Sequence, residues 1–404
     1  MEPLGIELAE RVRLPDAVLR AAIRTRVRRR IRLESRGGVE AQSERLRAQI
    51  ADSDRGQIAV ATDAANLQHY EVLAEFFALC LGPRRKYSCA LWTDGVHDLA
   101  AAEEAMLVLY AECADLHDGH EMLDLGCGWG SLTLWLAEHY PASTVTGVSN
   151  SASQRAYIEQ AAAARGLTNV RVITADVNAF VPDRTFDRIM SVEMLEHVRN
   201  HRALLSRMAS GLRPDGRLFV HVFSHRTLAF RFDAQARSDW IARHFFTGGT
   251  MPSDDLLPRV ADDLTLVDQW CVSGMHYART ARAWLERVDR NLEAARAVLA
   301  THVGRRRAAG GCSSWHARAC RGMTTATSSS SATTCSDTPA RRRRSARDVS
   351  RREEAQLSPW RWHPSAAHAG DLPRPARWCS TRRAPREILG NTASRSVRSV
   401  RGCA

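Results

Sequence analysis

The chain has 404 residues, 44% of them hydrophobic and 25% charged, an ordinary globular composition with room for more than one domain. The net charge of +12 would suit a nucleic-acid or anionic-membrane binder, but residues 305–404 alone carry 21 Arg against 6 acidic residues, leaving −3 for residues 1–304. The ten cysteines show no CxxC or Cys/His ligand spacing, and no apolar run approaches the ~20 residues of a membrane span, so a metal site, a disulfide framework and a membrane span are not expected.

Residues 1–81 read as helical, with apolar side chains at helical spacing through Leu14, Val18, Leu19, Ile23 and Val27, then Leu46 and Ile50, then Leu73, Phe76 and Phe77. The run RTRVRRRIR over 24–32 reads as a solvated basic helix face, with docking to anionic lipid as the alternative. From about 82 to 300, short β-rich runs alternate with longer helical ones, the pattern of βαβ units around a parallel sheet. Strands are predicted over 121–125, 144–148, 170–175, 186–192 and 217–223, and helices over 132–139, 153–165 and 201–212. Arg213-Pro-Asp-Gly216 is expected to turn the chain before the last strand. Past residue 304 the sequence is rich in Arg, Ser, Ala and Thr, with no Phe or Tyr, and buries too little apolar surface to offset chain entropy. A helical extension (1–80), an α/β domain (81–304) and a disordered basic tail (305–404) are therefore expected.

The most informative stretch is EMLDL (121–125) running into GCGWG (126–130), a strand, a glycine-rich turn and then an apolar helix. Glycines at the carboxyl end of a parallel strand let backbone approach a ligand closely. The spacing is not that of the dinucleotide fingerprint, and Asp124 stands as a polar residue at the end of an apolar strand, where it can orient the turn.

Seven ordered runs then carry a specific resemblance: KYSC (86–89), DLGCGWGSL (124–132), TGVSNSASQ (146–154), SVEMLEHV (191–198), LFVHVFSH (218–225), HFFTGGTMPS (244–253) and GMHYART (274–280). Over about residues 65–299 the chain resembles the cyclopropane fatty acid synthase superfamily of S-adenosylmethionine-dependent methyltransferases, and within it the coclaurine N-methyltransferase branch. The resemblance implies a class I, Rossmann-like methyltransferase fold with a mostly parallel central sheet. It implies S-adenosyl-L-methionine as cofactor, with Tyr87 and Ser88 covering its methionine part and Gly126 and Gly128 lining it. In many methyltransferases an acid ends the second strand, but here Ser149, Asn150 and Gln154 would supply those polar contacts, as in this family. Asp176 and Val177 would flank the adenine, with a satisfied loop acid as the plainer reading of Asp176.

Methyl transfer from a sulfonium needs an unshielded lone pair placed in line with the methyl carbon, and an amine acceptor must first lose its proton. Glu193, Glu196 and His197 follow the fourth strand, and if 192–198 begins a helix their spacing puts all three on one face. Carboxylates beside an imidazole can attract a cationic amine and take its proton. Acids complementing a helix dipole beside a structural histidine are the bland alternative. The resemblance also implies that Cys89, Glu196, His221 and Tyr277 match the positions that hold bicarbonate in cyclopropane synthases. That keeps methyl transfer to an unsaturated lipid acyl chain as an alternative, whereas Phe245 and Phe246 in HFFTGGTMP favour the amine branch.

The expected function is N-methylation of a small hydrophobic amine. A basic-tailed nucleic-acid binder is disfavoured because no aromatic residues interleave the Arg runs, so a small-molecule partner and no nucleic acid are expected. With no secretory apolar segment behind Met-Glu-Pro-Leu, a cytoplasmic location is expected. Lys86 is the single lysine of this Arg- and Ala-rich chain, which points to GC-rich codons with long open alternative frames. With permitted third bases, residues 322–336 decode in another frame into an acidic and aromatic string resembling the family's closing strands. The tail is accordingly expected to be a frameshifted reading of the family's own C-terminus.

Overall fold

Apolar residues at successive strand positions and capped helices between them build a sheet with helices on both faces. The computed structural model describes residues 16–60, 74–233, 246–308 and 355–364, all within one compact unit, Met1–Ala367. The N-terminal helices are α1 (Asp16–Glu34), α2 (Gly38–Ser53) and α3 (Ala74–Cys80), followed by α4 (Leu99–Ala114). Alternation then follows: β1 (Glu121–Leu125), α5 (Ser131–His139), β2 (Thr144–Ser149), α6 (Ala152–Ala164), β3 (Val170–Thr174), β4 (Phe186–Val192), α7 (His201–Ser210) and β5 (Leu212–His225). The two short strands β6 (Phe230–Arg231) and β7 (Thr250–Met251) pair with each other. Then come β8 (Leu264–Gln269), β9 (Val272–Ser273), α8 (Met275–Arg290), α9 (Leu292–Ala308) and β10 (Ala355–Pro364).

The sheet runs β3-β2-β1-β4-β5-β10-β8. Its first five strands are parallel, and β10 lies antiparallel between β5 and β8. Alternation along β1 sends Leu123 and Leu125 to one face, with Ile189, Val220 and Val222, against Leu204, Leu205 and Met208 of α7. Met122 takes the other face with Met190 and Phe219, against Met106 and Leu107 of α4 and Trp135 and Leu136 of α5. Asp98, Ser151 and Asn200 cap α4, α6 and α7, each accepting a backbone N–H three residues on. A further cluster joins Phe76 and Phe77 of α3 to Trp129, Trp284 and Leu299, which ties α3 to α8 and α9.

The sequence reading holds for the parallel strands and their helices to within a residue or two, with three differences. Arg213-Pro-Asp-Gly216 lies inside β5, where the register against β4 shifts between Phe186 and Arg188. α7 stops at Ser210 because Gly211 ends it, its N–H turning back to Met208. Within the expected disordered tail, residues 355–364 form β10. A strand is favoured there because β5 and β8 each offer a row of backbone groups to pair, and because Trp360 and Trp362 bury in the core. The remainder of 309–404 and the helical expectations at Leu14 and Leu73 lie outside the described residues. The basic run on α1 is partly engaged: Arg30 stacks over Phe230 at 4.6 Å and donates to the Arg231 carbonyl at 3.1 Å. Among the described residues no helix is long and apolar enough to cross a membrane.

Trp360→Ala tests β10 directly. Emptying a buried tryptophan site costs about 3–5 kcal/mol, so the urea midpoint should fall with little change in slope. A midpoint equal to the parent's would place this segment outside the sheet.

Candidate active site

The carboxyl end of β1 passes directly into the glycine turn. The N–H groups of Gly126 and Cys127 both donate to the Val148 carbonyl at 2.9 Å, which fixes the turn to the end of β2. Gly128 has φ +52°, and a Cβ built there meets nothing within 4 Å, so its backbone faces open space. Gly126 is needed for the opposite reason, since a Cβ there would lie 2.6 Å from Met194 Cγ. Asp124, 2% exposed, accepts from Thr133 Oγ1 at 2.7 Å, and burial pushes its carboxyl up to about 6.

Beside the turn lies a cavity with about 90 Å³ of open volume. Its lining brings together Arg85, Lys86, Tyr87 and Ser88 from the loop after α3, Asp124, Gly126, Gly128 and Trp129 from β1 and its turn, and Tyr110 of α4. Val192, Glu193 and His197 come from the end of β4, Phe223 from β5, Phe246 from the loop before β7, and Tyr277 from α8. Parallel strands deliver these residues because all their carboxyl ends open on one edge of the sheet.

The expected helix over 192–198 is not formed. Glu193 takes φ +48°, which ends β4 in the left-handed region, and only the 3₁₀ turn Leu195–His197 follows. The three residues therefore separate by depth. Glu193 and His197 line the cavity, whereas Glu196, fully buried, accepts at Oε1 from the Phe223 N–H at 2.8 Å and leaves Oε2 without a partner. Burial and then the Glu193 charge push Glu196 well above the carboxylate range. Glu193 is held by its own N–H on the His221 carbonyl at 2.7 Å and by the Cys89 N–H on Oε1 at 2.8 Å. Burial raises it and Lys86 opposes that rise.

The segment carrying Phe246 rests on this turn because of Gly249. A Cβ there would meet the Glu196 carbonyl oxygen at 2.3 Å, so only glycine lets the two backbones meet. Phe246 packs on His197 with ring centroids 5.3 Å apart and on Phe223 at 5.2 Å. Phe245 lies outside the described residues. His201, the first residue of α7, contacts the Leu195 carbonyl through Nε2 at 3.0 Å and so braces the turn, and burial lowers its pKa to about 4.

Tyr87, Ser88, Asp124, Gly126, Gly128, Glu193, His197 and Tyr277 thus share one cavity. Cys89, Glu196 and His221 are off its lining, each at most 1% exposed. Ser149, Asn150, Gln154, Asp176 and Val177 sit at and beyond the ends of β2 and β3, away from that lining. Ser149 donates to Gln154 Oε1 at 2.6 Å, Asp176 accepts from the Asn178 N–H at 2.7 Å, and Val177 packs on the core. Lys86, Tyr110, Trp129 and Phe223 also line the cavity, with no role assigned from sequence. The available signal was Lys86, a solitary lysine in a chain that otherwise uses arginine.

A parallel sheet with antiparallel closing strands, a glycine turn on β1 and a ligand cavity at the strand ends define a class I methyltransferase. Residues 60–308 match the family model described as mycolic acid cyclopropane synthetase, and the chain belongs to that family. It is 37% identical to the (S)-coclaurine N-methyltransferase of Thalictrum flavum subsp. glaucum over 306 residues, 74% of this chain and 84% of that protein. It is 31% identical to the cyclopropane-fatty-acyl-phospholipid synthase of Escherichia coli (strain K12) over 222 residues, 54% of this chain and 55% of that one. The crystal structure of a coclaurine N-methyltransferase bound to N-methylheliamine and SAH superposes with a TM-score of 0.77 and 28% identity, covering 88% of this chain and 98% of that one. SAH is what remains of S-adenosylmethionine once its methyl group has left. The protein is an S-adenosylmethionine-dependent methyltransferase, and the open backbone at Gly128 beside the cavity fits that cofactor.

Gly128→Val is expected to weaken S-adenosylmethionine binding at least ~10-fold, about 1.4 kcal/mol, because its branches enter open cavity space from a strained φ. Calorimetric titration showing the parent affinity would remove the turn from the site. A second expectation concerns acid. Because folding lowers the His201 pKa from 6.5 to about 4, its contribution to stability is complete above pH 6.5 and is lost as pH falls toward 4. Melting temperatures followed over that interval should fall less steeply for His201→Gln than for the parent.

Proposed function

We propose that the chain N-methylates a small hydrophobic amine. The observation carrying this reading is that Glu193, His197 and the Phe246 ring line the same cavity as the glycine turn. The relatives named coclaurine, tetrahydroprotoberberine and pavine N-methyltransferase support it. When bound, S-adenosylmethionine supplies an electrophilic methyl carbon. The chain's own task is to bring a free nitrogen lone pair to that carbon. An amine arriving as an ammonium ion meets the Glu193 carboxylate and the aromatic faces of Phe223 and Phe246, which attract a cation and exclude water. Its proton passes to Glu193 or His197. The freed lone pair then forms the N–C bond while the C–S electrons leave with sulfur.

Glu196 takes a supporting place in this scheme, since burial favours its neutral form and its Oε1 fixes the Phe223 backbone. Glu193→Gln and His197→Gln should each lower turnover by ~10²-fold, the scale of a general-base contribution, with cofactor affinity nearly unchanged. Glu196→Gln should cost less. The assay pairs S-adenosylmethionine with a tetrahydroisoquinoline in one arm and unsaturated phospholipid vesicles in the other. Methyl gain on the amine alone supports the reading, and methylene gain on the lipid alone would replace it with cyclopropane formation.

A further inference from the structure

α4 carries two adjacent acids in different surroundings. Glu104 lies at the water boundary, where it takes the Arg84 guanidinium at 3.0 Å. Glu103 is 0% exposed, and a buried carboxylate is kept only where hydrogen bonds compensate its lost hydration. Both of its oxygens are taken by backbone: Oε1 accepts the Gly82 N–H at 3.1 Å and Oε2 accepts the Arg84 N–H at 2.9 Å. Burial pushes the carboxyl up to about 7, and these N–H groups, with the Lys86 charge, oppose the rise.

The two N–H groups belong to one turn. Pro83 stands at the second position of Gly82-Pro83-Arg84-Arg85, and the Arg85 N–H closes the turn on the Gly82 carbonyl at 2.9 Å. Arg85 leaves it at φ +50°, a left-handed conformation that a residue with a side chain adopts only under constraint. Contact with the acid is close, since a Cβ on Gly82 would lie 2.5 Å from Glu103 Cδ; glycine lets the carboxylate sit against the backbone. The far end of the same loop is fixed by the Cys89 N–H on Glu193, the Ala90 N–H on Thr280 Oγ1 at 3.0 Å and the Leu91 N–H on the Ala102 carbonyl at 3.0 Å. Between the two anchors run Arg85, Lys86, Tyr87 and Ser88, all on the cavity lining, whereas Glu103 stands behind it. The Arg84 and Arg85 side chains add outer supports on Glu104 and the Ala74 carbonyl.

We propose that Glu103 is a positioning residue: its carboxylate grips the backbone at Gly82 and Arg84 and so holds loop 82–88 against the cavity that takes S-adenosylmethionine. The inference rests on the cofactor lying beside the glycine turn, and it adds the group that fixes the loop closing over it. A carboxylate suits the task because two N–H groups need two acceptors, and an amide offers only one.

Calorimetric titration with S-adenosylmethionine at about pH 8, where the carboxylate form dominates, tests this directly. Glu103→Ala should weaken binding at least ~10-fold, the scale of losing one hydrogen bond to a charged group. Glu103→Gln, which keeps one acceptor, should fall between that variant and the parent. Gly82→Ala attacks the same contact from the loop side, because its Cβ displaces the carboxylate. It should weaken binding on its own and add little in the Glu103→Ala background, and additive losses in the double variant overturn the proposal. Limited trypsin digestion supplies a readout without cofactor, since Arg84, Arg85 and Lys86 are cleavage points within the loop. Cleavage there, relative to cleavage elsewhere in the chain, should be faster in Glu103→Ala than in the parent. A purely structural acid would lower the melting temperature alone, so parent-like affinity and parent-like loop cleavage in Glu103→Ala overturn the proposal. If Glu103→Ala does not fold, Glu103→Gln and Gly82→Ala carry both measurements, and unchanged values in those two overturn it. Failure of the parent to bind S-adenosylmethionine would remove the cofactor from this cavity, and the trypsin comparison would still decide whether Glu103 holds the loop.

Discussion

Two strand ends must meet closely for this site to exist, and nearly everything else in the cavity depends on that approach. β1 and β4 are neighbours, and Ser191 Oγ ties β4 to the Leu125 carbonyl at 2.9 Å. Past that point the strands diverge into the glycine turn and the 3₁₀ turn. The missing Cβ of Gly126 leaves room for Met194, and the positive φ of Glu193 turns the chain so that its carboxylate reaches the Cys89 N–H. A left-handed residue with a side chain is strained by about 1–3 kcal/mol. Here the strain is held by hydrogen bonds at both the backbone and the carboxylate of Glu193.

The second governing feature is the concentration of buried polar groups around that point. Glu193, Glu196, Lys86, Tyr110, Cys89 and His221 stand in surroundings of low polarizability, where interactions between charges are strong and uncompensated charge is costly. The hydroxyl of Tyr110 and the thiol of Cys89 are pushed well above their ordinary ranges by burial, and the His221 imidazole well below its own. Neutral forms are thereby favoured for all three. The arrangement concentrates ionic character in a few groups and leaves the rest as dipoles and hydrogen-bond partners. For the proposed transfer to an amine, in which one proton must be taken up, that is a useful division.

The aromatic wall is assembled from distant parts of the chain. Phe246 joins the cavity because Gly249 lets its segment lie on the Glu196 backbone, and Trp129 belongs to the cluster that binds α3 to α8 and α9. α3 thus packs in one cluster with the turn after β1 and with α8 and α9.

The local pattern of the sequence was enough to determine the parallel strands, the helices that follow them and the glycine turn at 126–130, and together with the family motifs it named Tyr87, Ser88, Asp124, Gly126, Gly128, Glu193, His197 and Tyr277 of the cavity. Strand alternation, helix caps and glycine requirements act over a few residues, and the ordered family motifs add the cofactor. Tertiary structure alone decided the rest. It set Glu193 in a left-handed conformation, replaced the expected helix with a 3₁₀ turn and sank Glu196 behind the cavity. It also carried Lys86 inside, where it donates to Ser88 and to Tyr110 of α4, and it took residues 355–364 into the sheet between β5 and β8. Each of these outcomes depends on charges, backbone edges or close contacts between segments far apart in the chain, and such terms leave no periodicity in the sequence to read.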